Sequence, residues 1–430
     1  MTELLPASTS VDRRTRITWL AIITLVAFAL RVLATARFEG MSSPPNPGAF
    51  YDGVEFERIA ANLINHGEFS VRAGHPTSFR APGLPFALAF VYGVAGVGDF
   101  FAAHIFFCLI GALTCVAGYV VARECGGDLV GLITAGAIAV YPNLLYYCIH
   151  FASEPLFTLL LTLSVWAFLR SLRRDDWRMY ATSGVLLGLA SLTRPAAFYF
   201  LPFFGLAALV VVASRWRPRL IGIVAFGLGA IAPVIPWAAR NYAVHGKPLL
   251  FASNGGSTFW GSNNEIVLND PQNRGGWVST EDMPTQKALV KALPGELERD
   301  ALEWQFGKEF LREHPRDIPR LVWYKLYALW TPVSATPNAL FNRIQLISYG
   351  IALPFMLMGV VLLVGRLGLR DPRVVTLSAP ILATTAASLV FYGSARFRST
   401  IDPLLLTLVA VALLYAWERG RAAQARSAGR

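Results

Sequence analysis

The run PGLPFALAFVYGVAG, residues 82–96, decides how this chain is laid out. It is apolar, but at 15 residues it is short for a crossing, since a bilayer core needs about 20 helical residues. Ten other apolar runs stand at 17–36, 100–122, 129–148, 154–171, 179–194, 196–213, 219–238, 344–365, 374–392 and 401–417. Charge settles the reading of 82–96. If it does not cross and the N-terminus is cytoplasmic, the inner pieces are 1–16, 123–128, RSLRRDDWR (170–178), RWRPR (215–219), RLGLRDP with Arg373, and the tail from Glu418. These hold 18 Lys/Arg against 8 acids, while the two large outer segments, 37–99 and 239–343, hold 16 Lys/Arg against 17 acids over far more residues. That bias obeys the positive-inside rule. If 82–96 crossed, RSLRRDDWR and RWRPR would face outward, against the rule. The sequence therefore predicts an all-α polytopic protein of the plasma (inner) membrane. It has about ten transmembrane helices, both termini cytoplasmic, and 82–96 as an apolar helix dipping in from the outer face.

Composition agrees. Of 430 residues, 54% are hydrophobic and 15% charged, against about 25% charged in soluble domains. The net charge of +11 would suggest nucleic acid in a soluble protein. Here the basic inner loops account for it, and no nucleic-acid partner is expected. Cys108, Cys115, Cys125 and Cys148 lie in or beside apolar runs with no CxxC, which argues against a disulfide framework or a zinc site. The histidines are scattered, so no metal cluster is expected. Ala34-Thr35-Ala36 after the first run has the form of a signal-peptidase site, but the long run with Arg31 inside it favours a retained span.

Three parts follow: residues 1–238, a transmembrane module with a first outer loop at 37–99; residues 239–343, an extracytoplasmic segment; and residues 344–430, C-terminal transmembrane helices with a basic tail. The middle part carries the turn signals SNGGS, GSNNE and NRGGW. A helix-like LERDALEWQFGKEFLREHP follows, then IPRLVWYKLYALW (318–330), which reads as an interfacial helix.

The first outer loop opens with FYDGVEFERIAANLINHG, Phe50–Gly67, an acidic stretch in an apolar chain. Phe56, Ala60, Leu63 and Ile64 share one helical face, and Glu55, Arg58, Asn62 and Asn65 another. Asp52 stands where an N-cap belongs and Glu55 three residues on, as in a capping box. Other ionisable residues fall at the same outer face. Arg80 lies in TSFRAPGLPF and Glu154 in HFASEPLF. Arg194 stands at the Pro195 break of SLTRPAAFYFLP, and Arg396 and Arg398 in YGSARFRSTIDP. Charged groups at such depth are costly and usually pair or serve function. Two carboxylates and several guanidiniums collect on one side, and guanidinium geometry suits a phosphate.

These segments, in this order, resemble the integral-membrane glycosyltransferases of the GT-C fold, nearest in kind to the family-39-like bacterial enzymes. Their relatives include the protein O-mannosyltransferases, the lipid A aminoarabinose transferases and the rhizobial galacturonosyltransferases. RNYAVHGKPLLFASNGGSTFWGSNNE and ARFRSTIDPLLL also look like features of that group. The resemblance implies a polyprenyl-phosphate-linked sugar donor and an acceptor (glycolipid, polysaccharide or protein) met on the extracytoplasmic face. By the same resemblance Asp52 matches the catalytic base of the first outer loop and Glu154 the second acidic position. Arg80 and Arg194 match basic residues of their motifs. Ser399-Thr400 departs from the family pattern after the arginines, and the single Asp52 lacks the paired Asp-Glu of protein mannosyltransferases.

Transfer from a lipid phosphate needs a base in reach of the acceptor hydroxyl, charge at the leaving phosphate, and alignment of both substrates. The expected roles are Asp52 and Glu154 as catalytic residues, and Arg80, Arg194, Arg396 and Arg398 on the donor phosphate. Glu55, Asn254 and Asn263 are expected to bind substrate. An isolated Asp and a distant Glu make a thin site for a divalent metal, so none is expected. The rival expectation is a transporter or flippase for a lipid-linked sugar, which the helix break at Arg194-Pro195 partly fits.

Overall fold

The computed structural model describes residues 11–48, 50–211, 216–332 and 339–428. Residues 1–10, Arg215 and the end of the run expected at 196–213 lie outside these. Among the described residues there are helices and no strand, with a lone bridge between Arg72 and His75.

The first half comprises α1 (Arg13–Phe38), α2 (Tyr51–His66), α3 (Gly83–Ala95), α4 (Phe100–Gly126), α5 (Asp128–Val140), α6 (Pro142–Ile149), α7 (Glu154–Arg174) and α8 (Trp177–Thr193). A 3₁₀ turn (Pro195–Phe200) leads to α9 (Leu201–Val210), followed by α10 (Trp216–Ile231) and α11 (Val234–His245). The middle segment holds α12 (Gly255–Trp260), α13 (Glu265–Asn269), α14 (Pro284–Ala292), α15 (Glu296–Glu313) and α16 (Ile318–Trp330). The chain closes with α17 (Ala339–Leu367), α18 (Pro372–Val390), the short α19 (Ala395–Ser399) and α20 (Asp402–Ala428).

The chain is a multi-pass membrane protein. Among the described residues, six helices are long and apolar enough to cross a membrane, or eight if the bent pairs α5–α6 and α10–α11, kinked by 50° and 41°, each form one span. The described parts of the ten expected runs lie largely on helices, but α8 at 17 residues and the 195–210 stretch are too short for this count. The physical reason lies at Arg194-Pro195, where proline ends α8 and a 3₁₀ turn replaces a continuous helix. The 82–96 run is α3, 13 residues long.

The break between α5 and α6 is stabilised by charge. Pro142 has no N–H for the Ile138 carbonyl, and the chain leaves helical geometry at Tyr141. Arg31 of α1, fully buried, donates to Ile138 O (3.4 Å) and Ala139 O (3.3 Å), capping α5. A cation at a helix C-terminus also meets the negative end of its dipole. Elsewhere helices meet through small residues. A Cβ on Gly184 of α8 would stand 2.1 Å from Phe226 O of α10, and one on Gly188 2.3 Å from Ala230 O. Backbones pack this closely only where side chains are absent.

The main core joins α1, α4–α10, α17, α18 and α20. A second cluster (Phe56, Leu84, Leu88, Tyr92, Phe107, Phe151) fixes α2 and α3 against α4. Ile59 is buried in α2 while Ile64 is exposed, so the buried face is turned slightly from the expected one. The middle segment has a core of its own around Trp260, Val267, Leu268, Phe310 and Leu321.

Candidate functional site

Asp52 and Glu55 lie one turn apart on α2, so they share a face. Arg80, in the irregular stretch before α3, spans both: Nη2 meets Asp52 Oδ1 at 2.8 Å and Nε donates to Glu55 Oε2 at 2.5 Å. The expected capping role of Asp52 is not found. The helix starts at Tyr51, its N-cap is Phe50, and no side chain caps it. Propensity favours Asp at the cap, but Phe50 is packed against Tyr147 and His150 and beneath the Arg396 guanidinium at 4.8 Å. The helix therefore starts two residues earlier than a cap at Asp52 would place it. Asp52 thus sits in the first turn with its carboxylate turned to the arginines.

Glu154 opens α7 and is 1% exposed. Arg194, held at the end of α8 by the Pro195 break, donates from Nη1 to Glu154 Oε1 at 2.5 Å and to Ser153 Oγ at 3.0 Å. Arg396, on α19, donates from Nε to the same Glu154 oxygen and from Nη2 to Asp52 Oδ2 at 3.4 Å. Arg194 also lies over the Phe397 ring at 5.3 Å. Six residues distant in sequence therefore form one network of three carboxylates (Asp52, Glu55, Glu154) and three guanidiniums (Arg80, Arg194, Arg396), formally neutral.

The two acids at its centre differ. Asp52 keeps 30% of its side chain exposed, whereas Glu154 is enclosed, and its Oε2 has no hydrogen-bond partner among the described residues. Burial works to raise the Asp52 carboxyl, but Arg80 and Arg396 outweigh it and hold it below the usual carboxylate value. Among the described residues no group of three or more His, Cys, Asp or Glu converges to hold a metal ion.

Three expected site residues lie elsewhere. Arg398 is fully buried, donates to Leu329 O (3.4 Å) and Thr331 O at the end of α16, stacks on Tyr349 at 3.9 Å and faces Asp402 at 4.0 Å. Asn263 is buried, donates to Phe259 O (2.7 Å) and Val390 O (3.2 Å), and accepts from Lys325 Nζ at 2.7 Å. Asn254 is the N-cap of α12, without a side-chain capping bond. Sequence reasoning also passed over Ser153, Phe50 and Phe397. Ser153 adjoins Glu154 in ASEP, and Phe397 lies between the two arginines of ARFR, so both stood within motifs already marked.

The sequence profile of the dolichyl-phosphate-mannose-protein mannosyltransferase family matches residues 75–237, which include Arg80, Glu154 and Arg194. Among curated proteins no sequence matches. Of solved structures, the apo oligosaccharyltransferase of Archaeoglobus fulgidus aligns at 16% identity and TM-score 0.63, covering 97% of this chain and 52% of its own. The Archaeoglobus fulgidus oligosaccharyltransferase AglB in complex with an inhibitory peptide and a dolichol-phosphate aligns at 16% identity and TM-score 0.55, covering 96% of this chain and 52% of its own. ArnT from Cupriavidus metallidurans, bound to undecaprenyl phosphate, aligns at 15% identity over 92% of this chain and 78% of its own, with a TM-score of 0.45, too low to carry weight. The chain thus spans about half the length of the oligosaccharyltransferases it matches.

Proposed function

We infer that this chain, which has the fold of the GT-C membrane glycosyltransferases as its motifs implied, moves a sugar from a polyprenyl-phosphate donor to an acceptor hydroxyl. The acceptor is a glycolipid, a polysaccharide or a protein, met at the extracytoplasmic face. The observation that carries this reading is the convergence of Asp52, Glu154, Arg80, Arg194 and Arg396 from five separate stretches. Structural ion pairs alone would not need one carboxylate left partly open beside three arginines.

Asp52 is the base, because it is the most open of the three acids; Glu154 is the buried anchor of Arg194 and Arg396. In the free site two guanidiniums weaken Asp52 as a proton acceptor. A donor phosphate offers the same arginines a competing anion, and the leaving polyprenyl phosphate gains a further negative charge as the glycosidic bond breaks. Arginines that turn toward the phosphate stabilise the transition state and release Asp52. The base thus strengthens only when donor is bound, and it takes the proton as the acceptor oxygen attacks the anomeric carbon. A single displacement inverts that carbon.

The test uses the purified protein in detergent, a panel of radiolabelled polyprenyl-phosphate sugars, and envelope extract as acceptor. Acceptor-dependent release of polyprenyl phosphate is expected, with an inverted product by NMR. Counterflow of labelled lipid-sugar in acceptor-free liposomes, without release, would overturn the reading in favour of transport.

A further inference from the structure

Residues 76–82 form no helix, yet they hold Arg80 against Asp52 and Glu55. Their polar groups are tied to one distant part of the chain. Ser78 N donates to Glu296 Oε1 at 2.9 Å and Thr77 Oγ1 donates to Glu296 Oε2 at 2.6 Å. Ser253 Oγ donates to the same carboxylate, and Ser253 N donates to Ser78 O at 3.0 Å. Arg240 Nη1 donates to Thr77 O and to Ser78 Oγ, both at 2.8 Å, and Nη2 to Phe69 O at 3.1 Å. Ser78 Oγ donates in turn to Asn241 Oδ1 at 2.7 Å and lies 2.8 Å from His245 Nε2. Arg240 is itself held over the rings of Trp237 (4.9 Å) and Phe69 (5.4 Å).

We propose that Glu296 and Arg240 are positioning residues for Arg80, clamping Thr77 and Ser78 so that the Arg80 fork spans Asp52 and Glu55. One residue, Phe79, separates the clamp from Arg80, so a turn of the Ser78 backbone moves the guanidinium directly. The clamp acts on the base through Arg80 and touches no substrate. It makes residues 240–296 part of the catalytic geometry, and its kinetic consequence rests on the assignment of Asp52 as base. Asp52 is faced by Arg80, by Glu55 of its own helix, by Arg396 of α19, by Glu154 of α7 and by Arg194 at the end of α8. Glu296 is faced by Arg240 and Asp300, with His245 close to Ser78 and the Lys247–Glu298 pair beside it.

The experiment compares wild type with Glu296→Ala and Glu296→Gln in detergent. Amide exchange is read by mass spectrometry over 70–82 and 51–58, and kcat and KM are read against pH. In Glu296→Ala, exchange at 77–80 is expected to rise about tenfold or more, as a locally opened segment exchanges. The donor KM stays near wild type and kcat falls about tenfold, a loss confined to the transition state. The acid limb of the rate profile moves up by about 1 unit, because Arg80 is one of two guanidiniums holding Asp52 down. Glu296→Gln keeps an acceptor for Ser78 N but loses the one for Thr77 Oγ1, so it falls between. A merely local packing role would leave the acid limb in place. Unchanged exchange at 77–80, or an unmoved limb, overturns the proposal. If Glu296→Ala does not fold, Arg240→Lys removes the fork, keeps the charge and is judged by the same two readings. Exchange needs no turnover, so an inactive wild type counts against the transferase reading and unchanged exchange counts against the clamp.

Discussion

Replacing Arg396 by Gln removes the one guanidinium that touches both central acids, Glu154 through Nε and Asp52 at 3.4 Å through Nη2. Two unit charges at that separation interact by about 5 kcal/mol at an effective dielectric of about 20 and by about 1 kcal/mol in water. Asp52 and Arg396 are 30% and 24% exposed, so the pair lies between these limits. A value of about 2 kcal/mol corresponds to roughly 1.5 pKa units. Asp52 is a carboxylate whose folded value is depressed, so its ionised form is favoured above the usual carboxylate range and is lost as pH falls through the lowered value. Without Arg396 that loss comes at higher pH. The acid limb of kcat/KM, read as polyprenyl phosphate release across pH 3–7, is expected to rise by about 1–2 units. At neutral pH, kcat is expected to fall about 10–100-fold as one donor to the leaving phosphate is lost. A limb that moves by less than about 0.3 unit would refute the reasoning, since a charge this close to the titrating group shifts it by more.

Two other outcomes concern stability. Glu154→Ala leaves Arg194 and Arg396 without their shared buried acceptor, which is expected to destabilise the fold by about 3–5 kcal/mol; an unchanged thermal midpoint in detergent would contradict the anchor role. Glu303 on α15 is raised to about 7 by burial and by Asp300. A raised carboxyl favours the neutral folded form, so this contribution fades as pH rises from about 4.3 toward 7. Glu303→Gln is expected to flatten the fall of the midpoint across that window, and a slope equal to wild type would contradict it.

The layout of helices was legible in the sequence because apolar length and loop charge are local signals. The 82–96 run, short for a crossing, is α3, and α15 and α16 lie where the middle segment's patterns placed them. Span count was less legible, since the breaks at Pro142 and Arg194-Pro195 depend on what stabilises them across the bundle, as Arg31 does for α5. At the site, motifs marked Asp52, Arg80, Glu154, Arg194 and Arg396 as one face, but not their pairing. Arg396 and Arg398 look alike in ARFR, yet residues two apart on a helix point to nearly opposite sides. One therefore meets Glu154 while the other caps α16. The clamping partners of Thr77 and Ser78, Glu296 and Arg240, lie more than 150 residues away, with no local pattern to announce them.

The central claim is that Asp52 takes the acceptor proton. The most direct measurement is acceptor-dependent release of polyprenyl phosphate by wild type and by Asp52→Asn, with the productive radiolabelled donor and matched amounts of folded protein. Asn keeps the size of the side chain and loses the proton-accepting charge, so release is expected to fall by about 10²–10⁴-fold. Equal release by the two proteins would contradict the account and move the search for a base to Glu154.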